Sequence, residues 1–364
     1  MNKTQRQRLI GDFVVQNVGE HPNDIVRVTM QRSGVTRQTV INHIDRLVKA
    51  GLLTMTGRTK ARRYALKVTT WSFALDIVPS LKEDRIWREN ILPHLKDLPE
   101  NVLTICNYGF TEMLNNVIDH SQSEKAAARI DQTALKTQIS VGDFGVGIFN
   151  NIQRAFKLED PRQALLELSK GKLTSDPDRH TGEGVFFTSR MFDEFIIMSG
   201  TVFFRRTNQL ADEWLIEVRD QPETEGTVIV MNISNNSELQ IQEIFDKYAL
   251  ADDDYGFSRT HIPIRLAMYE GEKMLSRSQA KRILARAERF REVILDFREV
   301  KEIGQAFADE IFRVFATQNP QVHIVPMFTT PEIDRMVARA QSGEIDGSAV
   351  TGQLPLLSLS SDQD

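Results

Sequence analysis

The sequence predicts a multidomain α/β protein, and three observations carry that expectation. Residues 1–68 read as three helices and two short strands, with far more basic than acidic side chains. Residues 101–235 combine one apolar helix, two glycine-rich turns and a run of alternating strands. Residues 258–340 repeat strand, helix, strand, helix. A chain of 364 residues has room for two or three domains. With 41% apolar and 26% charged residues, its composition is that of ordinary globular domains.

The N-terminal block carries 13 Lys/Arg against 4 Asp/Glu in a chain of net charge −5, so the remainder is strongly acidic. A basic block on an acidic protein points to a polyanion partner for that block. Residues 5–18 and 23–31 read as the first two helices, and Ser33-Gly34-Val35 as a turn. Thr36 then suits the N-cap of a third helix, whose apolar face is Val40, Ile44 and Leu47. Gly51 ends it, and residues 52–55 and 63–66 read as strands joined by Gly57-Arg58-Thr59-Lys60-Ala61-Arg62. The pattern resembles a winged helix-turn-helix. That resemblance implies a third helix in the DNA major groove, with Arg37, Gln38, Thr39 and Asn42 facing bases. Arg58, Lys60, Arg62 and Arg63 on the wing would meet phosphates. The alternative is the same module used for protein contacts.

Residues 69–100 are expected to be a helical linker, apolar up to Leu81, charged from Lys82 to Leu98 and interrupted by Pro93 and Pro99. His94 follows Pro93, and no kinase-like phospho-acceptor sequence surrounds it.

The central stretch holds three motifs. Between Cys106 and Ile118 apolar residues recur at helical spacing, which puts Glu112 and Asn116 one turn apart on one face. An amide oxygen is a hard ligand suited to Mg²⁺, and a carboxylate one turn earlier can take a proton from water. Residues 139–141 form an apolar strand that ends at Asp143, placed to accept an exocyclic amine; Gly145 and Gly147 allow close backbone approach. Gly182 and Gly184 open an apolar helical run, where free amides suit phosphate. Each motif alone also fits an ordinary polar helix face or glycine-rich turn.

In this order the motifs resemble the gyrase, heat-shock chaperone, histidine kinase and mismatch-repair ATPase superfamily (GHKL), with its Bergerat α/β sandwich. Glu112 and Asn116 match that family's N box, with His120 placed as in anti-sigma-factor kinases. Asp143, Gly145 and Gly147 match its first glycine box, Gly182 and Gly184 its second, and Thr227 in Glu225-Gly226-Thr227 its terminal threonine. The resemblance implies ATP and Mg²⁺ as ligands and a mobile lid over residues 156–180. From that lid Lys170, Lys172, Arg179 and His180 would reach phosphates. No P-loop sequence occurs.

Residues 234–257 are polar and read as a boundary. The alternation over 258–340 implies a parallel sheet with crossover helices, and looks like the STAS-like domains of unknown function found behind such ATPases. Where a STAS antagonist carries a phosphorylatable serine, this chain reads Val300-Lys301-Glu302-Ile303-Gly304-Gln305-Ala306, without a hydroxyl. Residues 341–364 are expected to be a disordered tail.

The resulting expectation is an ATP-dependent regulator that binds DNA through its N-terminal domain, hydrolyses ATP slowly with Glu112 as base, and meets a protein through its STAS-like domain, with a homodimer as an option. The competing readings are an anti-sigma-type serine/threonine kinase and a non-hydrolysing interaction protein. One cysteine excludes an internal disulfide and suits a cytoplasmic setting. No apolar run approaches a membrane span, and the N-terminus lacks a signal-peptide pattern.

Overall fold

The computed structural model describes residues 3–173, 181–208, 213–218, 224–249, 257–268 and 273–342. The chain is mixed α/β with several sheets, and divides into two compact units, Met1–Thr260 and His261–Asp364.

The first unit begins with α1 (Lys3–Asn17), α2 (Ile25–Ser33) and α3 (Arg37–Lys49), followed by the antiparallel pair β1 (Leu53–Thr56) and β2 (Arg63–Leu66). Gly34 closes α2 in the left-handed region (φ 64°). Thr36 caps α3, its hydroxyl accepting the Thr39 N–H at 3.3 Å. Val14, Val18, Ile25, Val40, Ile44, Leu53 and Tyr64 are buried together, so the apolar face of α3 is turned inward and its polar face outward. Gly57 is required at the tip of the β-ribbon: at φ 74° a Cβ there would lie 2.1 Å from the Ala61 carbonyl oxygen.

Residues 69–100 are not a helical linker. β3 (Thr69–Asp76) pairs along its whole length with β4 (Lys125–Gln132) as the edge of a seven-stranded sheet. Trp71, Phe73 and Leu75 alternate with Thr70, Ser72 and Ala74, the period of a strand with one covered face. His94 stacks on Trp71 with ring centroids 4.6 Å apart. Only the charged part is helical, as α4 (Glu83–Ile86) and α5 (Leu92–Leu95) around a π-turn at Trp87–Ile91, where Pro93 supplies no N–H.

α6 (Glu100–His120) is the long helix of this unit. It buries Val102, Ile105, Cys106, Phe110, Met113, Leu114 and Val117, linked by three- and four-residue steps, and packs on β5 (Lys136–Asp143). α7 (Ile148–Phe156), α8 (Pro161–Lys170) and α9 (Gly184–Met191) follow, then β6 (Glu194–Gly200), β7 (Val202–Thr207), β8 (Glu213–Val218) and β9 (Thr224–Ser234). The sheet order is β3-β4-β5-β9-β6-β7-β8, every neighbouring pair antiparallel. Ala126, Ala128 and Ile130 of β4 point into the core and Lys125, Ala127 and Arg129 away from it. The polar stretch expected as a boundary contains α10 (Ile241–Tyr248), anchored where Phe245 meets Phe187 of α9 at 4.7 Å; residues 251–256 lie outside the described residues.

β10 (Arg259–Pro263), β11 (Glu292–Asp296) and β12 (His323–Met327) form a sheet in that order, with β11 and β12 parallel. α11 (Arg277–Leu284) precedes β11. The crossover from β11 to β12 is helical, through α12 (Gln305–Asp309), a π-turn at Glu310–Phe315 and α13 (Ala316–Gln318), and α14 (Pro331–Ser342) follows β12. α11 stops at Leu284, and Arg286 adopts a left-handed conformation (φ 63°) before a short 3₁₀ turn. The expected C-terminal tail falls, from residue 343 onward, outside the described residues.

Candidate nucleotide and nucleic-acid sites

One cavity of about 320 Å³ brings together most of the residues singled out in the central stretch. Glu112 and Asn116 line it from α6; Asp143 and Thr227 line it from the adjacent strands β5 and β9. Gly147, Gly182 and Gly184 complete it from the turns before α7 and α9. The volume lies at the lower end of the range typical of small-molecule sites.

The Asp143 carboxylate is 5 % exposed and accepts the Gly145 N–H at 2.8 Å. Burial pushes its pKa above the ordinary carboxylate value, although the main-chain N–H groups of Gly145 and Thr227 work against that. Thr227 is fixed in turn: its hydroxyl accepts the Ile148 N–H at 2.9 Å and lies 3.3 Å from the Ser199 hydroxyl. Gly147 (φ 79°) lets its turn approach so closely that a Cβ would sit 2.7 Å from the Ser199 oxygen. Gly145 is not among the described residues that line the cavity. A Cβ there would lie 1.8 Å from the Ser121 carbonyl oxygen, so its smallness seats the turn against the end of α6.

At the other end of the cavity Gly184 lies against Glu112, a Cβ on it falling 2.1 Å from Glu112 Oε2. Glu183, between the two glycines, also lines the cavity. Burial pushes its pKa up, while Lys172 and the Thr181 side chain pull it down. Burial raises the Tyr108 hydroxyl as well, and both Glu112 and Glu183 add to the effect, so two carboxylates and a phenol share this corner. Glu183 and Asn115 are lining residues the motif reading passed over. The position of Glu183 between two motif glycines was the available signal.

The lid residues are placed differently from the expectation. α8 is packed: its residues 164–170 are all buried. Lys170 is 1 % exposed and its ammonium is bonded to Glu167 at 2.7 Å, so it is not a phosphate ligand in this arrangement. Lys172 is not among the described lining residues. Its ammonium stands 5.4 Å from the centre of the Phe257 ring, near Glu183. Arg179 and His180 lie outside the described residues. Cys106 is fully buried in the core, and burial pushes its thiol up to about 12.

No His, Cys, Asp or Glu cluster able to hold a metal by itself occurs among the described residues. Asn116 nevertheless offers the hard oxygen that Mg²⁺ accepts when phosphates and waters fill its other positions, so the lining fits Mg-nucleotide rather than a protein-only metal site.

On the N-terminal module, Arg37, Gln38 and Asn42 are exposed along the outer face of α3. Thr39 is half-buried and its hydroxyl stands 3.0 Å from that of Thr36, so it belongs partly to the cap. Arg58 and Arg63 are exposed on the β-ribbon. Arg62 is turned back, its guanidinium donating to the Tyr64 hydroxyl at 3.5 Å, and is half-buried. The side chain of Lys60 lies outside the described residues. Arg46 and Lys49 are exposed on α3 too, at three- and four-residue steps from Asn42.

In the second unit Asp296 is buried, and although burial opposes it, hydrogen bonds from His261 (3.0 Å) and Arg298 hold its carboxyl well below the usual range. The stretch Val300–Ala306 enters α12 with the Gly304 N–H donating to the Met274 carbonyl at 2.7 Å.

Residues 279–334 match a STAS-like domain of unknown function (DUF4325). The C-terminal part of the chain is therefore STAS-like, as its strand–helix alternation suggested. No curated protein matches the chain. Among the described residues no helix is long and apolar enough to cross a membrane.

Proposed function

We propose that this chain is an ATP-dependent regulator whose nucleotide site, of the GHKL type, controls binding of DNA by its N-terminal winged helix-turn-helix. The observation that carries the nucleotide reading is the single cavity shared by Glu112, Asn116, Asp143, Gly182, Gly184 and Thr227, six positions that the sequence separates by up to 115 residues. In this reading Asp143 accepts the adenine amine, supported by a floor in which Thr227 and Ser199 are already hydrogen-bonded. Asn116 holds Mg²⁺, which when bound neutralises phosphate charge. The amides at the start of α9 face the phosphates, and the missing side chain of Gly184 leaves room for the Glu112 carboxylate. Glu112, across from that turn, takes the proton of a water aimed at the terminal phosphate.

DNA binding is supported by the outward face of α3, where Arg37, Gln38, Asn42, Arg46 and Lys49 are exposed, together with Arg58 and Arg63 on the ribbon. The STAS-like part is the candidate protein-binding module. A second reading, phosphoryl transfer to a protein hydroxyl, is favoured by His120, which lines the same cavity.

Incubation with γ-labelled ATP, Mg²⁺ and cell extract separates the readings. Free labelled phosphate is the expected product; labelled protein selects the kinase, and neither product, with ATP still bound, selects a nucleotide switch without hydrolysis.

A further inference from the structure

Gln38 and Asn42 sit one turn apart in the first half of α3, both exposed, and Gln38 Nε2 donates to Asn42 Oδ1 at 2.9 Å. Their direction is fixed by the other side of the helix, where Val40, His43 and Ile44 are buried, and by the Thr36 cap. An amide has one acceptor oxygen and two N–H donors. The bond within the pair uses the oxygen of one amide and one N–H of the other. What remains is one wholly free oxygen and three N–H groups. Reversing the bond moves these groups between the two side chains but leaves the same set, so the conclusion does not depend on which way each amide is turned.

That set has a preferred complement among the base edges of the major groove. Adenine offers an acceptor, N7, beside a donor, the N6 amine; guanine offers two acceptors, thymine one acceptor and a methyl, cytosine a single donor. Only adenine satisfies an amide oxygen and an amide N–H side by side. Against guanine the free oxygen faces O6 and loses its partner on leaving water, which is costly. Asp45, the next exposed position along this face, adds a carboxylate that accepts but cannot donate, and so also favours amine-bearing bases. Arg37, at the start of the helix, presents parallel donors, which suit guanine rather than adenine.

Resting on the DNA-binding reading above, we propose that the Gln38–Asn42 amide pair reads an adenine in the major groove, so that the partner of this chain is duplex DNA with a fixed A·T pair under the first half of α3. The test is selection of the full-length chain on a random duplex library at fixed salt, followed by binding to the enriched site. The expected result is a motif with an invariant adenine. Replacing that adenine by 7-deazaadenine, which lacks only the N7 acceptor, should weaken binding about ten-fold. Gln38→Ala/Asn42→Ala should make the position degenerate while Arg63→Ala lowers affinity for all sequences alike; circular dichroism establishes that both variants are folded. An enriched motif whose adenine survives in the double variant, or is indifferent to 7-deazaadenine, overturns the amide-pair proposal and leaves the DNA-binding reading standing. Binding without any motif does the same. Absence of DNA binding even at low salt overturns both.

Discussion

The contact between Gly184 and Glu112 allows the proposed base to be displaced without being removed. An alanine Cβ at 184 would lie 2.1 Å from Glu112 Oε2 and 3.1 Å from its Cδ. An ordinary carbon–oxygen contact is more than an ångström longer than the first of these distances, so the carboxylate must shift by about that much. The cost to the fold is small, because the obstructing atom is the end of a flexible side chain. Gly184 also opens a helix, where alanine is favoured over glycine by up to about 1 kcal/mol. Misplacing a reacting group by about 1 Å costs on the order of 100-fold in rate. Gly184→Ala should therefore melt at or slightly above the temperature of the unaltered chain, bind ATP within a few-fold, and hydrolyse it about 100-fold more slowly. Single-turnover hydrolysis beside a thermal melt measures both quantities. Glu112→Gln should lose about 10²–10⁴-fold, and adding Gly184→Ala to it should cost little more, since both changes act on one proton transfer. Unchanged hydrolysis in Gly184→Ala, or full additivity in the double variant, would refute the assignment of Glu112 as base.

Asn116→Ala should remove Mg-dependent ATP binding with the melting temperature preserved; an unaltered affinity in a calorimetric titration rejects Asn116 as the metal ligand. Asp143 has a raised pKa, so in the free protein its stabilising effect is greatest below the unfolded carboxylate value and is lost as pH rises through the raised one. Nucleotide binding runs the other way: accepting the adenine amine requires the carboxylate, so ATP affinity should fall as pH falls through the raised value. Asp143→Asn should flatten that profile and relax discrimination against GTP, and a profile unaffected by the substitution removes the role. For DNA, Arg58→Ala and Arg63→Ala should each reduce the slope of log K against log salt by about 0.9, whereas Arg62→Ala should mainly lower thermal stability through loss of the Tyr64 contact. Equal salt slopes for all three variants contradict that division.

Much of the site could be read from the sequence because its signals are local. Glu112 and Asn116 share a face of α6 by periodicity alone, and Gly147 and Gly182 take the positive φ that a glycine-rich turn suggests. What could not be read depends on distant packing. A lysine in a polar stretch reads as a solvated cation, yet Lys170 is enclosed with Glu167, and its carbonyl accepts the Thr260 hydroxyl at 2.7 Å across 90 residues. Thr69–Asp76 has only eight residues, and its partner β4 lies about fifty residues on; without that partner in view, the charged helical pattern that follows outweighs its alternation. Arg62 illustrates the same limit on a small scale: wing composition gives its charge, but the hydroxyl of Tyr64, two residues on, sets its direction.

The central claim is that nucleotide and DNA are linked through one chain, and linkage is measured directly by titrating the enriched DNA site with full-length protein, with and without saturating Mg-ATP. The account predicts a shift of about 5- to 150-fold in DNA affinity, in either direction, that disappears in Asn116→Ala. The same affinity with and without bound ATP in the unaltered chain would contradict it.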